Sequence, residues 1–388
     1  MEPEIMLNYS IQYNIGSGTF AQVYLAIHNK TGTKVSIKVI SKKICNDNER
    51  NQLLMRREID IMKKLKHPFV CDLYEVVETE NNVYIVMEFA ENGTLLETIK
   101  SRGSLGEEDA GVIFAQLLVV MKYLHNECKI AHRDIKAENV VFDSNRNIRI
   151  IDFGLSNSPD SNNIMQTQCG SISYASPEMI MGQKYTYASD VWSLGILLYG
   201  MVCGYLPFQD TNYSRLAQKI VFKEIDYPPQ LSPECRDLLK KILTKNQTDR
   251  IALNEIMKHP WISERYNTIL KSITDFHYNY DYISKRMKSY NLDLERIQKE
   301  ISDGITDQDT ITYNIICREN QVRDFHQSML NIYKLDRKYS IKSGEKLPPL
   351  NPKDHTNSFK PRRAIIPGNA PILSSKRKKL PSSLVYSN

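Results

Sequence analysis

Long apolar runs are missing from this chain of 388 residues. The charge-free apolar stretch Val112 to Met121 is ten residues and is interrupted by Gln116. A helix needs about 20 apolar residues to cross a bilayer, so no membrane span is expected. Cysteine is sparse and scattered: seven residues, at positions 45, 71, 128, 169, 203, 235 and 317, with no C-x-x-C and no paired histidine spacing. An odd, dispersed set argues against a disulfide framework and a structural metal. The first ten residues carry acids and lack the basic-then-apolar order of a secretory signal. The expectation is an intracellular, cytoplasmic chain. No repeat period occurs, which excludes a fibrous protein.

What is present is ordinary globular composition, 41% hydrophobic and 25% charged. At this length a single core has usually stopped growing, and two or more domains are expected. The net charge of +6 is unevenly placed. Residues 337 to 388 hold twelve Lys/Arg against two Asp/Glu, a net of +10, which leaves 39 bases and 43 acids, a net of −4, in residues 1 to 336. The same tail holds seven of the sixteen prolines, so it is expected to sustain neither helix nor sheet and to be extended and disordered.

Residues 9 to 88 alternate in strand fashion through YSIQYNIGSG, QVYLAIHN, KVSIKVI, DLYEVVET and VYIVMEF, which predicts an antiparallel sheet. Leu54, Ile61, Met62 and Leu65 recur at helical spacing, so one amphipathic helix over Glu49 to Leu65 interrupts it. From Thr94 to about Tyr266 the pattern is helical, apart from short strands around NVVFD and IRIID. Tyr278 to Arg318 carries three short helical patterns separated by polar turns. The predicted class is α+β: a small antiparallel β lobe with one helix, a large mostly α lobe, and a small three-helix segment.

Ile15-Gly16-Ser17-Gly18-Thr19-Phe20-Ala21-Gln22-Val23 joins two predicted strands. Its glycines suit a loop whose amides approach phosphate oxygens, and a plain glycine-bearing hairpin reads equally well. A dinucleotide fingerprint would need a helix next, and here a strand follows. Fifteen residues beyond Val23 stands Lys38, on a strand that should be buried. Such an ammonium is costly unless paired, so Lys38 is either a solvated edge residue or the partner of a carboxylate, for which Glu58 is the candidate.

His132-Arg133-Asp134-Ile135-Lys136-Ala137-Glu138-Asn139 packs an acid, a base and an amide into one loop. Phosphoryl transfer needs that set: a carboxylate to orient and accept a hydroxyl proton, a cation near the moving group, and a metal ligand. Thirteen residues past Asn139, Asp152-Phe153-Gly154 supplies a second metal carboxylate. With Ser176-Pro177-Glu178, Asp190 and Arg250 following in order, residues 9 to 262 resemble eukaryotic protein kinases. The resemblance implies the bilobal kinase fold and a serine/threonine enzyme of the calcium/calmodulin-dependent kinase-like group.

It further implies ATP and Mg2+ as cofactors and protein substrates. Asp134 looks like the catalytic base, Lys136 the cation beside the transferred phosphate, and Asn139 and Asp152 the magnesium ligands. Lys38, paired with Glu58, would hold the α and β phosphates. Ile15, Gly16, Ser17, Gly18 and Val23 would cover the nucleotide. Ser36 replaces the usual alanine above adenine, Met87 resembles the gatekeeper, and Glu88 and Ala90 lie on the hinge. Glu178 and Arg250 resemble the buried ion pair of the large lobe, and Asp190 the residue that steadies the catalytic loop. Ala21 stands where the third loop glycine is usual, and Thr94 where relatives that read basic peptides carry glutamate. None of the departures removes a catalytic group. The rival reading is a pseudokinase scaffold, which would predict loss of Lys38, Asp134 or Asp152.

Arg133 is a loop cation of the kind that receives a phosphorylated activation loop, and Thr167 is the candidate phosphosite. Its context, with DFGLSN, resembles the AMP-activated and sucrose-non-fermenting type kinases, which implies an upstream activating kinase. Residues 278 to 318 resemble the ubiquitin-associated domain that follows the kinase domain in that group. In the tail, Lys360-Pro361-Arg362-Arg363 and Lys376-Arg377-Lys378-Lys379 have the spacing of a bipartite nuclear import signal. An import receptor, an acidic lipid or RNA contact and a solvated linker all remain open there. The absence of interleaved aromatics argues against nucleic acid, and an import signal would add the nucleus to the cytoplasm.

Overall fold

Alternation of β-branched and polar residues builds the first half of the fold. In the computed structural model the described residues are 2–17, 21–43, 49–153, 156, 172–274 and 279–343, the side chains of 49–51 and 330–343 excepted. A short helix, α1 (Pro3–Met6), precedes five strands: β1 (Tyr9–Ser17), β2 (Ala21–His28), β3 (Lys34–Ser41), β4 (Leu73–Glu78) and β5 (Asn82–Glu88). They pair antiparallel in the order β1-β2-β3-β5-β4. The central β3 sets Lys38 opposite Val23 on one side and Ile85 on the other. Because successive side chains alternate between faces, Val35 and Ile37 join Tyr84 and Val86 in one apolar cluster, while Ile40, Val83 and Ile85 belong to another. The helix predicted between the third and fourth strands is α2 (Glu49–Lys64), with Ile59, Ile61 and Met62 buried.

The large lobe follows with α3 (Leu95–Arg102), started by the Thr94–Glu97 capping box, and α4 (Glu107–Lys122), which runs into a π-helical turn over Tyr123–Glu127. The hairpin β6 (Val140–Phe142) and β7 (Ile148–Ile150) matches the two short strand signals. Then come α5 (Pro177–Ile180), α6 (Tyr187–Cys203), α7 (Tyr213–Phe222), α8 (Pro233–Ile242), α9 (Leu253–Ile256) and α10 (Ser263–Thr274). Every residue of α6 from Ser189 to Val202 is buried, as expected of a central helix that is apolar on all sides. It ends at Gly204, whose φ of +81° and 1.8 Å approach of a notional Cβ to the Gly103 carbonyl oxygen leave room only for glycine.

The last elements are α11 (Tyr280–Ser289), α12 (Leu294–Ser302) and α13 (Gln308–Ser343), with a small core of Ile283, Met287, Leu292, Ile297 and Ile316. Three helices were expected here, but the third does not stop near Arg318: α13 is 36 residues long. Ile311 and Ile315 pack on the β-lobe cluster of Val35 and Ile37, and Phe325 and Met329 pack into the large-lobe core. Phe325 meets Phe69 edge-on, ring centroids 5.3 Å apart. The expectation of chain without helix from residue 337 is also corrected for 337–343, which continue α13 because the first proline of the tail is Pro348.

The chain divides into two units, Met1–Asp336 and Arg337–Asn388. Gly18, Gly154, Thr167 and residues 344–388, with both basic clusters, lie outside the described residues. No helix among the described residues is long and apolar enough to cross a membrane.

Candidate active site

The loop after β1 leads into a strand, not a helix, with Gly16 facing Val23 across the hairpin and a register shift between Asn14 and Gly16. Ile15 is exposed, and Gly16 and Val23 are half-buried. On β3, Lys38 Nζ lies 2.6 Å from Glu58 Oε1 of α2. The solvated-edge alternative for Lys38 therefore falls, because β3 is an interior strand and its ammonium is paired. Burial alone would push the Lys38 ammonium down, but the charges of Glu58 and Asp152 outweigh it and hold it above its ordinary range.

The loop from His132 to Asn139 is tied by its own polar groups. Lys136 Nζ lies 2.5 Å from Asp134 Oδ2, and Asn139 Nδ2 donates to the same oxygen and to the Asp134 carbonyl, each at 2.9 Å. Arg133 and Asp152 take left-handed backbone, φ +69° and +66°, a conformation costing on the order of 1 kcal/mol or more for residues with a Cβ. At Arg133 the restraint is the buried Asp190 of α6, which accepts from the amides of His132 and Arg133 at 2.9 Å each. It also takes the Tyr185 hydroxyl and lies 2.7 Å from His125 Nε2. Burial would raise the Asp190 carboxyl, but the hydrogen bonds from His125 and Tyr185 hold it below the usual range.

At the end of β5 and just beyond it, Met87 and Ala90 are half-buried, and Ser36 sits opposite Met87. The Glu88 carbonyl receives the Ser36 hydroxyl at 3.1 Å and the Cys71 thiol at 3.3 Å. Asn139, whose amide nitrogen donates to Asp134, has a side-chain oxygen of the kind that ligates hard cations, and Asp152 presents an exposed carboxylate. Hard oxygen ligands of this kind fit magnesium.

Residues 9–262 match the protein kinase domain family. This chain belongs to the protein kinase family. It is 37% identical over 317 residues to the SNF1-related protein kinase catalytic subunit alpha KIN12 of Arabidopsis thaliana, covering 80% of this chain and 64% of that protein. It is 35% identical over 319 residues to the maternal embryonic leucine zipper kinases of Danio rerio and Xenopus tropicalis, covering 81% of this chain and 47% and 48% of theirs. The chain thus spans from about half to just under two thirds of the length of these curated relatives. The resemblance to sucrose-non-fermenting type kinases, and with it the bilobal kinase fold, stands.

Other residues singled out in the sequence of this kinase are placed as follows. Arg133 stacks its guanidinium 5.1 Å from the Tyr185 ring, and burial holds it below its ordinary range. Glu178 and Arg250 form the expected pair, with two parallel bonds of 2.8 and 2.9 Å. Thr94, the departure noted at the helix entry, is the helix cap, and Glu138 is exposed.

Sequence reasoning missed the surroundings of Glu88. Its side chain is buried between Arg149 of β7 and Arg318 of α13. Burial would raise its carboxyl, yet the two guanidiniums lower it to about 2. A signal for Arg318 exists in the sequence: it interrupts the stripe Ile311, Ile315, Val322, Phe325, Met329 at the spacing of an inward-facing position.

Proposed function

We propose that this kinase transfers the γ-phosphoryl group of ATP to serine or threonine hydroxyls of proteins. The observation that carries the reading is the Asp134–Lys136–Asn139 cluster, fixed from beneath by Asp190 and accompanied by the Lys38–Glu58 pair. Asp134 orients the acceptor hydroxyl and takes its proton at Oδ as the oxygen attacks. Lys136, 2.5 Å from Asp134, brings positive charge beside the group in flight. Lys38, kept charged by Glu58, would hold the α and β phosphates, while the segment Met87 to Ala90 would seat adenine. Asn139 and Asp152 would hold magnesium, which would neutralise charge on the phosphate oxygens. Lys136, two residues after the base, favours the serine/threonine class.

Thr167 is proposed as the site of an upstream activating kinase, with Arg133 receiving its phosphate. Residues 278–318 are proposed as a ubiquitin-associated-like module with a regulatory role, and the basic tail as a contact for an import receptor. Radiolabelled transfer from ATP with magnesium to a Ser/Thr peptide library tests the central reading. The parent should label peptides, Asp134→Asn should abolish labelling, and Thr167→Ala should reduce it. A parent that stays silent after treatment with an activating kinase would refute catalysis in favour of a scaffold.

A further inference from the structure

Arg318 is 4% exposed and lies on α13, some 230 residues beyond the strand it touches. Its Nε and Nη2 donate to Glu88 Oε2 at 2.9 and 2.6 Å. Nη2 also donates to the carbonyls of Pro68 (3.1 Å) and Val70 (2.7 Å), and Nη1 to the His67 carbonyl (3.3 Å) and Gln321 Oε1 (2.5 Å). The other Glu88 oxygen takes Arg149 Nε at 2.8 Å, and Arg149 Nη2 reaches Asp143 at 3.0 Å. The Asp72 amide approaches Glu88 Oε2 at 3.3 Å, and the Glu88 amide donates to the Asp72 carbonyl at 2.9 Å.

One guanidinium from the C-terminal helix thus ties the end of β5 to the chain entering β4. That chain is itself zipped to β7, through Ile150 N to Phe69 O (2.8 Å) and Cys71 N to Ile150 O (3.0 Å), two residues before Asp152. A guanidinium this buried is stable only with its anion, and the anion is borne by a residue whose own carbonyl borders the cleft. We infer that Arg318 is a positioning residue for nucleotide: by bracing Glu88 from behind, it holds residues 87 to 90 in the conformation that seats the base. This rests on the assignment of Met87 to Ala90 as the adenine seat. The physical ground is the geometry of the tie. Without Arg318, Glu88 keeps one guanidinium bond of three, and the carbonyls at 67, 68 and 70 lose a shared donor, so the segment behind the seat is free to relax.

The test uses the full chain, with ADP binding by calorimetry, peptide phosphorylation kinetics and thermal melting on Arg318→Met and Arg318→Lys. Arg318→Met should weaken ADP binding and raise KM for ATP about tenfold, with kcat and peptide KM changed less than about twofold. Arg318→Lys restores one charge but not the fork, and should recover only part of the affinity. If Arg318→Met does not fold, the lysine variant decides: weakened ADP binding supports the role and parental affinity overturns it. A lowered melting temperature with parental ADP affinity would make Arg318 a structural anchor only and overturn the inference. A parent that binds no ADP would remove the adenine seat, and this inference with it. A parent that binds and transfers, with variants of equal affinity, would sink this inference alone.

Discussion

Replacing Arg250 with methionine tests the large-lobe scaffold most directly. Its guanidinium makes two bonds to Glu178, of 2.8 and 2.9 Å, and three to the carbonyls of Thr244 (3.1 Å), Ala188 (2.6 Å) and Lys245 (3.3 Å). It also lies 5.2 Å over the Trp192 ring. The two side chains are 0% and 2% exposed, so loss of the cation strands a buried carboxylate whose remaining side-chain donor is Ser189 at 2.9 Å. Breaking one side of such a pair costs about 3–5 kcal/mol, which in a domain of this size lowers the melting temperature by about 10 °C. Removing both charges, as Glu178→Leu with Arg250→Met, should cost clearly less than the two single changes together, because each single variant leaves the other charge buried. Thermal and urea unfolding of the four proteins measures the cycle. A cost below about 1 kcal/mol for Arg250→Met, or strict additivity in the cycle, would refute the reasoning.

Further outcomes follow from the same geometry. Asp134→Asn should lower phosphotransfer at least about a hundredfold while ADP binding by calorimetry stays at the parental level, since a general base acts in the transition state. Glu58→Gln leaves Lys38 charged but less firmly placed, and steady-state kinetics should show kcat/KM for ATP reduced about tenfold or more. Gly204→Ala, forced against the Gly103 carbonyl in left-handed backbone, should destabilise the kinase domain by more than about 1 kcal/mol in urea unfolding. The Glu88 carboxyl, at about 2 in the fold against an ordinary 4.5, contributes stability that is complete above 4.5 and lost as the pH falls from 4.5 towards 2. Stability of Glu88→Gln should therefore fall less steeply than that of the parent through that window, and equal slopes would count against the charge network.

The elements that the sequence announced are those whose signals are local. β-branched alternation marked five strands, and α2 followed its apolar spacing to within a residue of its predicted end. Kinase family membership was readable for the same reason, because its motif His132 to Asn139 is packed into eight consecutive residues. Lys38 was ambiguous, since its neighbours in sequence cannot tell an edge strand from a central one. The answer came from β5, whose residues start 44 positions later and pair with β3 on its other side. The expected end of the third segment at Arg318 failed because the apolar residues beyond it, Phe325 and Met329, have their partners in the distant large-lobe core.

By itself, then, the sequence determined the kinase family and the order of its strands and helices and named candidates for the chemistry, because each is written as a short pattern of residue types. Only the tertiary structure decided which of the candidate charges meet. The Lys38–Glu58 pair, the seating of Asp190 under the catalytic loop and the enclosure of Glu88 by Arg149 and Arg318 join residues 20 to 230 positions apart. An ion pair is a matter of ångströms and of shared burial, and no spacing along the chain encodes either.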